Sequence, residues 1–320
     1  MHFRVFSRFY YTRLKPNERI IYEQILHGVF GFQEKIMVNG GLSIDDYAKI
    51  VMGIRMDIPE LFFVDTLKVT TETRGDQTNI ILKYLMSPRE AEMLKEKIYG
   101  VMVDFFSSHR NSENIERDIH DYLAKGIKYN RTELFHYDYS IIGALLNRTC
   151  VCEGYAKAFK LLCDQVNIPC AVIVGDSKGE GHAWNIVKLG RNAFHVDVTW
   201  NSGIYENGNI PLYYNVSDEF IGQDHQWKRE DYPPCKVSGV VEQEIIDVFG
   251  LRSFANALEA MVMMRKNEFI LRFNKKFQYV EEISELIKTA IEKLELESIG
   301  TFSVTYVEKM DCAVVNFKYR

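Results

Sequence analysis

The 320-residue chain carries 39 Lys and Arg against 44 Asp and Glu, a net charge of −5. Neither sign dominates, which argues against nucleic acid as a partner, and a hydrophobic content of 47% is ample for a core in one large or two to three small domains. The six cysteines (Cys150, Cys152, Cys163, Cys170, Cys235 and Cys312) include no Cys-x-x-Cys pair, so neither a disulfide framework nor a structural zinc site is expected.

The chain opens with a short strand-like piece to Tyr11. Arg4 and Arg8 interrupt its apolar residues, no small-residue cleavage site follows, and no apolar run of about 18 residues occurs anywhere. A cytoplasmic protein without a membrane span is therefore expected. Ile20, Ile21, Ile25 and Val29 set a helical stripe from about Lys15 to Val38, closed by Gly40 and Gly41. Ser43 before Asp46 is a capping pattern for a helix to about Met56. Asp57–Val64 reads as a strand, Thr70–Gln77 as a polar turn and Thr78–Leu85 as a second strand. Ser87-Pro88-Arg89-Glu90 joins a cap, a proline at the first helical position and a glutamate three residues on. It predicts a helix to about Phe106, with another from near Ser112 to near Lys125.

Cys152 opens the central stretch. Tyr155, Phe159, Leu162, Cys163 and Val166 recur behind it at helical spacing, and Asn167, Ile168 and Pro169 close the helix. Cys152 then sits in the first turn, where unpaired N–H groups and the positive dipole end favour a thiolate and can receive an oxyanion. Cys170–Val174 reads as a buried strand. Gly175–Gly181 is a polar turn; it lacks the Gly-Lys-Ser/Thr ending of a phosphate loop and opens no helix. In the strand that follows, His182, Trp184 and Ile186 share one face. After a turn at Gly190, Arg191 and Asn192, the strand Phe194–Val198 puts His195 and Asp197 on one face. Antiparallel pairing would bring Asp197 beside His182. Asp197 would hold the imidazole, and His182 would take the thiol proton and return it to the leaving group. Trp184 and Trp200 are candidates for lining an acyl-group channel. Asp224, His225 and Trp227 read as a solvated loop or a lid.

After Pro233 and Pro234 the composition shifts. Val237–Met264 reads as helical with a break at Gly250, Glu268–Phe273 as a strand, and Val280–Leu294 as an amphipathic helix. Phe302–Val307 and Ala313–Tyr319 read as strands joined by Glu308–Asp311. This compact α+β module carries no catalytic motif. It is a candidate for peptide binding, for shaping the cleft or for homodimerisation. The expected domains are 1–110, mostly helical; 111–235, the catalytic core; and 236–320, the C-terminal module.

Three words in order, Cys152-Glu-Gly-Tyr-Ala-Lys-Ala-Phe159, Gly181-His-Ala-Trp-Asn185 and Val196-Asp-Val-Thr-Trp-Asn201, resemble the transglutaminase-like superfamily of transglutaminases, papain-related peptidases and peptide N-glycanases. The resemblance covers about Asn111 to Trp227. It implies an α+β fold with a papain-like core, in which the nucleophile helix packs on an antiparallel sheet carrying His and Asp. The triad it implies is Cys152, His182 and Asp197. Cys152 rather than Cys150 stands at the matching position, which leaves Cys150 a bystander. The implied chemistry is acyl transfer on protein or peptide amides through a thioester, with no metal or organic cofactor. An oxyanion group upstream of the nucleophile is also implied, with Tyr139 and Ser140 as its candidates. No acidic loop matches the calcium sites of animal transglutaminases, and the missing zinc-type pairs count against the peptide N-glycanase branch. Asp57-Ile-Pro-Glu-Leu-Phe62 resembles a region preceding the core in a bacterial subset. Peptidase-type hydrolysis is favoured over cross-linking, because water is always available and no amine pocket is identifiable. The alternative is a catalytically silent scaffold that binds peptides in the same cleft.

Overall fold

Helices and strands alternate irregularly along the chain, giving the expected α+β class, in a computed structural model that describes residues 3–39, 42–65, 68–75, 77–132, 135–205, 210–274, 280–307 and 311–320. Gly40, Gly41 and most of the Glu308–Asp311 connection lie outside the described residues. The chain forms two compact units, one of residues 1–174 and 182–190, the other of 175–181 and 191–320.

In the first unit the capping signals act as read. Ser43 accepts from the Asp46 amide to start the helix Ile44–Asp57, and Ser87 accepts from the Glu90 amide to start Pro88–Ser108. Asn114 does the same for Ile115–Gly126. The predicted helix Lys15–Val38 is shorter, Pro16–Phe30, and Lys35–Asn39 is a strand instead. The chain turns at Gly31 and at Phe32, whose φ is +53°. Ile36 and Val38 then alternate inward and pair with Ile80 and Thr78. Thr70–Arg74 is likewise a strand rather than a turn. It completes a three-stranded sheet with Gln77–Ile81 at the centre. Conversely, Ile58–Val64 is no strand: successive turns bury it, with Leu61 N–H donating to Ile58 O and Val64 N–H to Leu61 O.

The helix Cys152–Gln165 is buried continuously from Glu153 to Asp164. Its buried charges have dedicated partners. The Lys160 ammonium lies 2.8 Å from Asp164 and donates to the Ser7 carbonyl at 2.7 Å, while Ser7 N–H donates to Asp164. These bonds fasten the N-terminal segment along the helix. They offset a desolvation cost that would otherwise be several kcal/mol per ion.

In the second unit Ile245–Val248, Glu268–Phe273, Cys312–Tyr319 and Ile299–Val307 form one sheet in that spatial order, the first pair parallel and the others antiparallel. Phe254 and Leu258 of the helix Leu251–Met263, and Ile283 and Ile287 of Val280–Lys293, share a core with Leu271, Ala313 and Val315. Ile245–Val248 had read as part of a helix. Its pairing with Ile270–Phe273 outweighs a local pattern too short to tell the two apart.

Candidate active site

Cys152 is the first residue of its helix, as expected. Val151 precedes it with extended backbone and offers no side-chain cap. The first helical bond runs from Tyr155 N–H to Val151 O at 3.2 Å. The amides of Cys152, Glu153 and Gly154 thus precede any intrahelical acceptor, at the positive end of the dipole. Within the helix only Cys152 and Gln165, at its two ends, are half-buried. Cys152 packs against a cluster of Met56, Ala156, Val172 and Ala183.

Gly154 permits this placement. A Cβ there would lie 2.6 Å from the Asp138 carbonyl oxygen, 2.7 Å from Cys150 Cβ and 3.0 Å from Cys150 Sγ. Asp138 O also accepts from Val151 N–H at 3.0 Å, so the segment before the helix is locked against its first turn. Cys150 is buried, and that burial, with the nearby Asp138, pushes its thiol well above the ordinary range. Glu153 is enclosed beside Cys152. Burial opposes its charge, but Lys157 at 2.7 Å and a two-pronged Arg55 outweigh it and hold the carboxyl below its ordinary value.

His182 lies in the strand Glu180–Leu189, half-buried, with its ring stacked on Trp184 at 5.8 Å and 19°. The alternating residues anchor the strand: Ala183 belongs to the cluster that holds Cys152, and Asn185 Nδ2 donates to the Ala156 carbonyl at 3.0 Å. The structure thus ties the residue next to His182 to the thiol-bearing turn. Trp184 is 1% exposed, so its ring serves the interior. Upstream, Ser140 commits both its donors locally: its hydroxyl and its amide each donate to Tyr137 O. Tyr139 and Ser140 line a small pocket with Arg55, Asp65, His136 and Lys157.

Asp197 belongs to the second unit. The strand before it ends at Val196, not Val198, and a helix runs Val198–Tyr205. Asp197 starts this helix, its Oδ1 accepting from the Trp200 amide at 3.0 Å. Its own amide donates to Tyr213 O at 2.9 Å. Its Oδ2 lies 3.0 Å from His225 Nε2. His225 Nδ1 lies 2.5 Å from Asp224 Oδ1, and the Tyr213 hydroxyl donates to Asp224 Oδ2 at 2.6 Å. Asp224 and His225 are therefore buried, not part of a solvated loop or lid. Burial opposes the charge of His225, but the bonds to Asp197 and Asp224 hold its pKa above the ordinary value. Trp200, in the new helix, has Lys178 Nζ 4.2 Å above its ring and stands against Tyr213 and His225.

His195 serves elsewhere. Its Nε2 lies 2.8 Å from Asp218 Oδ1, and the Cys235 amide donates to Asp218 Oδ2 at 3.0 Å. His195, Asp218 and Cys235 bring one ligating atom each within 4.8 Å of one another, the donor set a soft divalent ion would need. Direct hydrogen bonds already join His195 and the Cys235 amide to Asp218. Among the described residues no helix is long and apolar enough to cross a membrane.

Residues 103–200 match the transglutaminase-like superfamily. The mouse kyphoscoliosis peptidase is 36% identical over 150 residues, which are 43% of this chain and 21% of that protein, so the chain spans about a fifth of that relative's length. Among solved structures, a putative cysteine protease from Cytophaga hutchinsonii aligns with TM-score 0.27 and 13% identity over 41% of this chain and 61% of that one. A TGase crystal structure aligns with TM-score 0.33 and 12% identity over 68% of this chain and 59% of that one. Residues 103–200 therefore carry a transglutaminase-like superfamily domain, within a chain of α+β fold.

Proposed function

We propose that the chain is a cysteine-dependent acyl-transfer enzyme acting on protein or peptide amides, with hydrolysis favoured over cross-linking. The observation that carries this reading is the placement of Cys152. An otherwise buried helix leaves its cysteine partly open at the dipole's positive end, fixed by packing on Ala183 beside His182. That environment favours the thiolate, the nucleophilic form.

In the proposed cycle Cys152 Sγ attacks the amide carbon, forming a C–S bond while the carbonyl oxygen takes the charge. The first-turn amides receive that oxyanion. We assign the upstream donor to Tyr139, because the donors of Ser140 are engaged with Tyr137. His182, oriented by Asp197, gives the thiol's proton to the leaving nitrogen as the C–N bond breaks. Water, deprotonated by His182, then attacks the thioester. The acid leaves and the thiol is restored. Hydrolysis is favoured because water needs no dedicated pocket, and the mouse relative is named as a peptidase.

The test is mass spectrometry of the protein mixed with peptide amides, with and without a primary amine. The reading expects an acyl adduct on Cys152 and hydrolysed peptide, both lost in Cys152→Ala. Amine-linked product in excess of hydrolysed product would reverse the preference for hydrolysis. Neither adduct nor product from the intact protein would overturn the enzymatic reading.

A further inference from the structure

The Asp197 carboxylate is fully buried, where a carboxylate is stable only if its oxygens meet donors. One donor is local: the Trp200 amide on Oδ1 comes with the helix that Asp197 starts. Another comes from far along the chain. Strand His225–Gln226 pairs with Ser177 and Asp176, and this pairing sets the His225 ring against Oδ2. The ring cannot rotate freely, because Nδ1 is held by Asp224 Oδ1, whose second oxygen takes the Tyr213 hydroxyl. Tyr213 closes the circle, since its carbonyl accepts the amide of Asp197.

We infer that His225 is a positioning residue for Asp197, with Asp224 and Tyr213 fixing its ring. This rests on the reading of Asp197 as the residue that orients His182. His225 itself touches neither substrate nor thiol in this scheme. Its role is to hold Asp197 in one rotamer, with its charge balanced, so that the carboxylate keeps a fixed direction.

The geometry explains why histidine is used. Both ring nitrogens face carboxylate oxygens, so both must donate, which only the imidazolium does. Glutamine at 225 retains a donor for Asp197 but turns its amide oxygen towards Asp224. Changing Asp224 to asparagine then supplies the missing donor, and the asparagine oxygen still accepts from Tyr213. The pair Asp224→Asn with His225→Gln therefore rebuilds the chain of bonds without the charge.

The test is the rate of iodoacetamide alkylation at Cys152 at neutral pH, in proteins whose folding is verified by circular dichroism and melting temperature. His225→Gln should slow alkylation about tenfold, as Asp197→Asn does, and the two together should be no slower than Asp197→Asn alone. Adding Asp224→Asn to His225→Gln should recover at least about threefold, a rescue that a loss of stability alone would not produce. Three results would overturn the inference. If His225→Gln matches the intact protein while Asp197→Asn is slow, Asp197 acts without His225. If the two effects multiply, the residues act independently. If Asp197→Asn itself is as fast as the intact protein, the role of Asp197 fails and that of His225 fails with it.

Discussion

Gly154→Ala tests the close packing that places Cys152. The new Cβ would stand 2.6 Å from the Asp138 carbonyl oxygen and 2.7 Å from Cys150 Cβ. Ordinary contact begins near 3.4 Å, so the helix must retreat by about 0.8 Å from the segment that precedes it. Neither obstacle is the far end of a flexible side chain. One is backbone that also accepts from Val151 N–H, and the other is the root of a buried cysteine. Overpacking of this kind costs about 1–3 kcal/mol, and rigid neighbours put this case at the upper end. For a protein of this size the upper end lowers the melting temperature by about 4–5 °C. The shift also carries Cys152 away from Ala183, so alkylation of Cys152 at neutral pH should fall about tenfold, well below the melting temperature. Circular dichroism melts and mass-mapped alkylation check both. An alanine protein with unchanged melting and labelling would refute the argument that Gly154 is dictated by the approach of Asp138 and Cys150.

Two further substitutions probe the surroundings of the thiol. Glu153 has its folded pKa depressed, so its stabilising contribution is complete above the ordinary glutamate value of about 4.5 and is lost as pH falls through the folded value. Glu153→Gln should cost about 3 kcal/mol at neutral pH, because Arg55 and Lys157 lose their partner, and should flatten the acid-side loss of stability in urea titrations; parallel pH curves for the two proteins would contradict this. Asn185→Ala removes the buried donor to the Ala156 carbonyl, at a cost of about 1–3 kcal/mol, and should slow Cys152 alkylation by releasing the strand that carries His182; a loss of stability with unchanged alkylation would show that the bond anchors the strand without positioning the site.

Much of the site was legible because its elements are specified locally. The cysteine at a helix start follows from the apolar stripe behind it, and the caps at Ser43 and Ser87 follow from side chains three residues away. What escaped depends on distant partners. Lys35–Asn39 and Ile245–Val248 become strands because Gln77–Ile81 and Glu268–Phe273 lie beside them. Asp197 ends its strand early by capping the next helix. An Asp three residues before the Trp200 amide was the available signal, masked by the β-branched residues between them. Asp224 and His225 read as solvated because single charges usually are. Burial becomes tolerable only once Asp197, His225, Asp224 and Tyr213 are seen to satisfy one another, a relation spanning 28 positions.

The central claim is that Cys152 is an activated thiol paired with His182. Its most direct measurement is pH-dependent iodoacetamide labelling of the native protein, mapped by mass spectrometry, beside a His182→Ala variant. The account predicts fast labelling of Cys152 at neutral pH that falls in the variant, with the buried Cys150 unlabelled. Labelling of Cys152 no faster than a free thiol and unchanged by His182→Ala would contradict it.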